Sequence, residues 1–269
     1  MNPEETIINV ENLTKRFKKF VAVDKISFNV KRGEVFAVLG PNGAGKTTMI
    51  RILTTLLPST SGEATIDSRS VTRNPGEVRK VIGYVPQMVS VDGSLTAYEN
   101  LILMARLYNV PARECKKSVQ QILTFLKLEN HANSLVKNFS GGMIRKLEVG
   151  QAMLHHPQVL FLDEPTTGLD PVAKRNVWER LLELRKTFGT TIFFSTHNME
   201  EAEEVCDRVA VMNAGKIAAL GTVPELKKKV DKKNASLEDA FVFFTGNYFQ
   251  ENGNIREVKR MRQTVRRLG

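Results

Sequence analysis

The chain has little of what disulfide or metal-centre chemistry requires. Its 269 residues include two cysteines and four histidines. Cys115 and Cys206 stand far apart in sequence and fit no metal or redox spacing, so they read as reduced, buried thiols of a cytosolic protein. The adjacent pair His155-His156 reads as a helix end before Pro157 rather than as metal ligands. No apolar run approaches the length needed to span a bilayer. The start, Met1-Asn2-Pro3-Glu4-Glu5, is acidic and polar, unlike a secretory signal. Internal repeats and low-complexity segments are absent. So is the aromatic-plus-basic interleaving of a single-strand nucleic-acid binder. What remains, 42% hydrophobic and 25% charged residues, is ordinary for a soluble globular protein of one large domain or two small ones.

The net charge of +10 is unevenly spread. Much of it lies in Lys227-Lys228-Lys229 with Lys232-Lys233, and in Arg256, Lys259, Arg260, Arg262, Arg266 and Arg267. A basic tail can meet nucleic acid, anionic lipid heads or an acidic partner. A solvated helix face is the commoner meaning of lysine runs, and no direct nucleic-acid partner is expected.

Against this plain background stands Gly40-Pro41-Asn42-Gly43-Ala44-Gly45-Lys46-Thr47-Thr48, directly after the apolar run Val35-Phe36-Ala37-Val38-Leu39. It matches G-x-x-x-x-G-K-[ST] between a buried strand and a helix. Glycines let successive N–H groups turn inward as an anion-binding nest, and the helix start adds its dipole. Lys46 would reach the outer phosphates of a nucleoside triphosphate, and the Thr47 hydroxyl would ligate the accompanying magnesium. Asp163 and Glu164 follow the apolar strand Val159-Leu160-Phe161-Leu162. Beside a nucleotide, Asp163 would hold magnesium through water, and Glu164 would orient and polarise the attacking water. Gln87 and His197 also follow strand ends, where ligands gather in a parallel sheet. Gln87 can approach the metal or the γ-phosphate from there. Ser140-Gly141-Gly142 opens a helix running from Met143 to about Leu154, a second anion-binding helix end.

The hydrophobic pattern orders these motifs. Ile7-Ile8-Asn9-Val10 and the alternating Ile26-Ser27-Phe28-Asn29-Val30 predict short, half-exposed antiparallel strands. From Thr96, which forms a capping box with Glu99, the period turns helical. Two or three helices are predicted between Asp92 and Met153, one of them over Pro111–Leu128. Ile82–Val85, Val159–Leu162 and Thr191–Ser195 read as buried strands, with a helix over about Val172–Lys186 before the last of them. Val209–Met212 and Lys216–Leu220 read as a hairpin around Asn213-Ala214-Gly215. Apolar strands alternating with helices predict an α/β fold, its mostly parallel sheet covered on both faces.

Taken together, the motifs from Ile7 to Leu220 resemble the nucleotide-binding subunit of an ATP-binding cassette (ABC) transporter. In family order they are the phosphate loop (Walker A), Gln87 as the Q-loop, Phe139-Ser140-Gly141-Gly142-Met143 as the signature, and Leu160–Glu164 as Walker B. Gly168-Leu169-Asp170 follows as the D-loop, and His197 as the switch histidine. The signature departs from Leu-Ser-Gly-Gly-Gln at Phe139 and Met143. Ser195–Glu203 and Ser236–Phe241 are similar to the daunorubicin-resistance type of exporter ATPase.

The resemblance implies a P-loop NTPase cassette over residues 6–222, with a mostly parallel core sheet, an antiparallel β subdomain and a helical subdomain at about 92–153. Residues 223–269 are expected to be an accessory extension. It further implies ATP and Mg2+ as ligands, Phe17 stacking on adenine, and Lys46, Glu164 and His197 as catalytic groups. Thr47, Gln87 and Asp163 would serve the metal. The nucleotide would lie between Gly40–Thr48 of one cassette and Ser140, Gly141, Gly142 and Asp170 of a second copy or a paralogue. A transmembrane permease subunit, met through the Gln87–Glu99 region and the helical insert, would place the chain at the cytoplasmic face of the membrane as a peripheral protein. An ABC-2-type exporter is the expected setting. The alternatives are a soluble ABC ATPase acting as a mechanical clamp and an importer ATPase subunit.

Overall fold

Alternate residues of one short strand build two cores. In β3 (Val35–Leu39), Val35, Ala37 and Leu39 face one hydrophobic cluster, while Phe36 and Val38 face another. A strand with both faces buried reads as an unbroken apolar run, and its period of two divides the run between two layers. The computed structural model describes residues 5–230, 232 and 234–246. Met1 to Glu4, Lys233 and the basic positions Arg256 to Arg267 lie outside the described residues.

The chain begins with β1 (Thr6–Phe17) and β2 (Phe20–Lys31), which form an antiparallel hairpin ahead of β3 and α1 (Lys46–Leu53). There follow β4 (Ser61–Ile66), β5 (Arg69–Ser70), α2 (Pro75–Val81) and β6 (Ile82–Val85). The helices α3 (Ala97–Leu107), α4 (Ala112–Phe125) and α5 (Gly141–Met153) come next. Then strands and helices alternate through β7 (Val159–Asp163), α6 (Pro171–Phe188), β8 (Thr191–Thr196), α7 (Met199–Val205) and β9 (Arg208–Asn213). β10 (Lys216–Gly221), α8 (Val223–Lys228) and α9 (Leu237–Thr245) follow.

The main sheet has the order β10-β9-β3-β8-β7-β6, parallel throughout except for β10, which pairs antiparallel with β9. The second sheet, β2-β1-β4-β5, is antiparallel. Between the sheets, Phe28, Phe36 and Phe193 stack with centroid separations of 5.5 and 5.4 Å, and Phe161 packs tilted against Phe193 at 5.2 Å. On the other face, α3 to α9 contribute apolar side chains to a single continuous cluster.

The mixed sheet, the capping box at Thr96 and the amphipathic α4 agree with the sequence reading. Thr96 accepts from the Glu99 amide at 3.2 Å, and Glu99 accepts from the Thr96 amide at 2.8 Å. The hairpin strands are far longer than the short segments predicted. β1 and β2 bend past register shifts and carry Asn12 and Lys25 at φ 49° and 48°, so their apolar residues break strict alternation. Helix α2 was not anticipated at all. Both cysteines are free thiols, Cys115 buried and Cys206 half-buried. Burial, helped by the Asp207 charge, pushes the Cys206 thiol up to about 12.

The beginning of the C-terminal stretch is part of this packing. Leu226, Leu237, Ala240 and Phe241 join the same core as β3 and α6. Replacing Phe241 by alanine is expected to cost about 3–5 kcal/mol of stability, as for other large core aromatics. Urea unfolding checks this, and a loss below about 1 kcal/mol would show that α9 is not part of the cooperative core.

Candidate functional site

Four parallel strands deliver the candidate residues to one edge of the sheet. β3 runs into the phosphate loop, β7 ends on Asp163, β8 ends just before His197, and β6 ends just before Pro86-Gln87. In register, Leu39 pairs with Thr196, Asp163 with Ser195 and Val85 with Leu162. The strands therefore stop nearly level, and the residues just beyond them meet.

The loop itself is held by its glycines. Gly45, the N-cap of α1, has φ +104°, and a Cβ there would lie 2.3 Å from the Ala22 carbonyl oxygen. Only glycine satisfies both conditions. Lys46 curls back so that Nζ donates to the carbonyls of Gly40 (2.7 Å) and Pro41 (3.1 Å), and it lies 3.3 Å from Glu164 Oε1. Pro41, Asn42, Gly43, Ala44, Gly45, Lys46, Thr47 and Thr48 line a cavity of about 450 Å³ together with Gln87, Glu164, Thr167, His197, Phe20 and Ala22.

Glu164 is the centre of this cavity's polar wall. Its Oε2 lies 3.1 Å from His197 Nδ1, accepts from Thr167 Oγ1 at 3.1 Å, and is 3.5 Å from Gln87 Nε2. The backbone at Glu164 is left-handed, with φ 50°, an uncommon state for a residue with a long side chain. Its amide donates to Ser195 Oγ at 3.1 Å, which holds it there. The same Ser195 hydroxyl donates to Asp163 Oδ1 at 2.6 Å. Strain at a site of this kind is of order 1–3 kcal/mol and has to be over-determined by its surroundings.

The Thr47 hydroxyl donates to Asp163 Oδ1 at 3.1 Å. A hydroxyl and a carboxylate held together at the phosphate loop are hard oxygen donors of the kind magnesium prefers, so the residues fit that cation. Asp163 itself is buried. Burial, and then the Asp163 carboxylate, push the Tyr84 hydroxyl above its ordinary pKa.

Not every expected residue converges here. Ser140 caps α5 by accepting from the Met143 amide at 3.3 Å. Gly141 and Gly142 face Leu169 and Ala173, where a Cβ would come to 3.1 and 3.0 Å. Asp170 caps α6 by accepting from the Ala173 amide at 3.0 Å. None of these residues lines the phosphate-loop cavity, and neither do Gly40, Asp163 and Phe17. Phe17 is partly exposed under the Lys15 ammonium (5.1 Å to the ring), while Phe20, 62% exposed, lines the cavity.

Several participants were missed in the sequence. Ser195 and Thr167 gave one available signal, a polar residue beside a site residue at a strand end. Arg145 and Glu148 gave none. On α5, Arg145 donates to the carbonyls of Pro86 (2.8 Å) and Gln87 (3.2 Å). Glu148 accepts from the Ser90 amide at 2.7 Å and from its hydroxyl at 3.0 Å. Burial draws the Arg145 pKa down, while the Glu148 and Asp163 charges oppose that.

Comparison with known proteins agrees with this geometry. The profile described as ABC transporter matches residues 23–167. The linearmycin resistance ATP-binding protein LnrL of Bacillus subtilis is 37% identical over 82% of this chain and 70% of its own length. The daunorubicin resistance ATP-binding protein DrrA3 of Streptomyces coeruleorubidus is 38% identical over 88% of this chain and 75% of its own. The phospholipid-transporting ATPase ABCA3 of Homo sapiens is 41% identical over 83% of this chain, which spans only 13% of that protein. A solved structure described as the ATP binding subunit of an ABC transporter superposes with TM-score 0.79 at 30% identity, covering 89% of this chain and 100% of its own. A dimeric ATP-binding cassette in a post-hydrolysis state with ADP and Pi gives 0.71 at 27%, covering 80% and 98%.

The loop geometry carries a direct test. Gly45→Ala adds both backbone strain and a clash with the Ala22 carbonyl, so nucleotide affinity is expected to fall at least about tenfold. Calorimetric titration with ATP checks it, and an unchanged Kd would mean that the loop tolerates a side chain there.

Proposed function

This chain belongs to the ABC transporter family, as an ATP-hydrolysing subunit of the daunorubicin-resistance exporter type, and from that premise we propose how its residues act. The observation that carries the proposal is the Glu164 carboxylate, held beside the phosphate loop by Lys46, Thr167 and His197. In this reading Glu164 accepts a proton from the attacking water. The water oxygen bonds to the γ-phosphorus as the bond to the bridging oxygen of ADP breaks. His197 fixes the carboxylate through Nδ1 and is assigned to the γ-phosphate, and Gln87 approaches from the end of β6, on the other side of β7 from β8. Lys46 and the loop amides take the charge on the outer phosphates. Magnesium, held by Thr47 and Asp163, would supply further charge neutralisation there. Phe17, with Phe20 near it, is assigned to the adenine.

The signature is assigned to a second copy or a paralogue. Ser140, Gly141 and Gly142 form an exposed or half-exposed helix start away from the cavity of their own chain, as does Asp170 with its loop. Pairing two cassettes would bring each helix start to the other chain's phosphate loop, and a solved cassette similar to this chain, dimeric and bound to ADP and Pi, supports pairing. Among the described residues no helix is long and apolar enough to cross a membrane. A separate transmembrane permease is the assigned partner, with this chain peripheral on the cytoplasmic face. Met88 and Val89 (82% and 62% exposed), with Leu103 and Leu107 on α3, offer it an apolar contact in the region expected from the sequence. An ABC-2-type exporter is the setting best supported, since LnrL and DrrA3 are named for drug resistance. The soluble clamp and the importer gain no support from these relatives. Residues 6–222 are proposed as the catalytic cassette, with residues 223–269 as an extension.

Glu164→Gln tests the reading. It removes the proton acceptor but keeps shape and most contacts, so ATP binding is expected to persist while turnover falls at least about a hundredfold. The variant is also expected to accumulate as an ATP-bound dimer. Phosphate release and size-exclusion chromatography measure the two effects, and undiminished hydrolysis would reject the assignment of Glu164.

A further inference from the structure

One carboxylate outside the cavity ties together three segments that carry site residues. Glu201, on α7, accepts from the Thr166 hydroxyl and from Trp178 Nε1 (2.7 Å) through Oε1, and from the Thr196 hydroxyl (2.5 Å) through Oε2. Thr166 lies two residues after Glu164, and Thr196 immediately precedes His197. Trp178 lies on α6, the helix capped by Asp170. All three donors are buried, at 4%, 3% and 6% exposure. The Glu201 amide in turn donates to Asn198 Oδ1 at 3.0 Å, and the Asn198 amide donates to Thr196 Oγ1 at 3.0 Å. The His197 connection is thus fixed from both sides.

We propose that Glu201 is a positioning residue for hydrolysis, setting the placement of Glu164 relative to His197 by holding their two connections, and α6, to one point. This rests on the functional reading above. An ionised carboxylate is acceptor-only, so its two oxygens can receive three buried donors at once. Without it, Thr166 and Trp178 lose their buried acceptor, and the segments before His197 and after Glu164 are no longer held in common. The phosphate loop touches this network only through the Gly40 amide, which donates to the Thr196 carbonyl at 3.2 Å, a backbone bond that does not depend on Glu201. The consequence therefore falls on turnover rather than on nucleotide binding, because sub-ångström misplacement of a catalytic group costs rate.

Steady-state ATP hydrolysis by the full chain, with Glu201→Ala, Glu201→Gln and Thr196→Val, tests the proposal. Glu201→Ala is expected to lower kcat at least about tenfold with KM for ATP within about threefold of wild type. Glu201→Gln keeps an oxygen for Trp178 and Thr166, and its NH2 can donate to Thr196 Oγ1 in place of accepting from it, so it should return to within about threefold of wild-type kcat. Trp178 is the chain's single tryptophan, so its emission should shift in Glu201→Ala and stay in Glu201→Gln. Thr196→Val, nearly isosteric, removes one arm and should lower kcat severalfold even if Glu201→Ala does not fold. Unchanged kcat in the folded variants, or a KM that rises in step with the loss of kcat, would overturn the role of Glu201. Wild-type protein that cannot hydrolyse ATP would instead defeat the functional reading itself.

Discussion

The site depends on parallel strands ending level with one another. Neighbouring strands lie about 4.8 Å apart, so groups one residue beyond matched ends come within reach of a single side chain. Ser195 uses that spacing, because its pairing with Asp163 puts one hydroxyl between the Asp163 carboxylate and the Glu164 amide. The left-handed backbone of Glu164 follows from the same anchor, turning the carboxylate back toward Lys46 instead of along the strand. A slip of one residue in β7 or β8 would reverse which face each side chain meets and dissolve the arrangement. The apolar layers hold that register. Phe193 and Phe161 lie on one face of β8 and β7, and Phe194 and Leu162 lie on the other.

The same register keeps the strand-end cavity apart from the start of α5. The strand ends carry the phosphate loop, Glu164 and His197, whereas Ser140–Gly142 belong to α5, packed against Leu169 and Ala173. The glycines there allow close approach between the start of α5 and the stretch from Leu169 to Ala173. Neither segment is free to fold over its own cavity without unpacking that contact. Pairing of chains is the geometrical way for a helix start at this position to meet a phosphate loop.

How much of this was readable follows from where each signal lies. The phosphate loop, Asp163-Glu164 and the buried strands could be read because contiguous residues carry them, and a fully apolar strand before a polar turn is a local pattern. The long hairpin was only partly legible, since register shifts near Asn12 and Lys25 interrupt its alternation. Helix α2, seven residues long with Val78 its one buried residue, has too short an apolar stripe to show a period. Ser195, Arg145 and Glu201 act on partners 32, 58–59 and 23–35 positions away. Ser195 is marked only as a polar residue at a strand end, and nothing in the immediate neighbours of Arg145 and Glu201 announces such contacts. Phe20 beside Phe17 was hidden for a similar reason, because the turn between β1 and β2 decides which ring faces the loop.

Burial of charge shows what these unannounced residues contribute. A buried ion pair such as Arg145–Glu148, at 3.0 Å with both side chains nearly inaccessible, adds little stability over an apolar pair of equal volume. Its other bonds are what an apolar pair would lack. Arg145 grips the carbonyls of Pro86 and Gln87, and Glu148 grips Ser90, so the segment bearing Gln87 is fastened at both ends to the helix that begins with Ser140. The Gln87 side chain, 3.5 Å from Glu164, is thus carried by a backbone bonded directly to α5. What this buried pair adds to the fold is therefore the placement of the Gln87 segment against α5 more than stability.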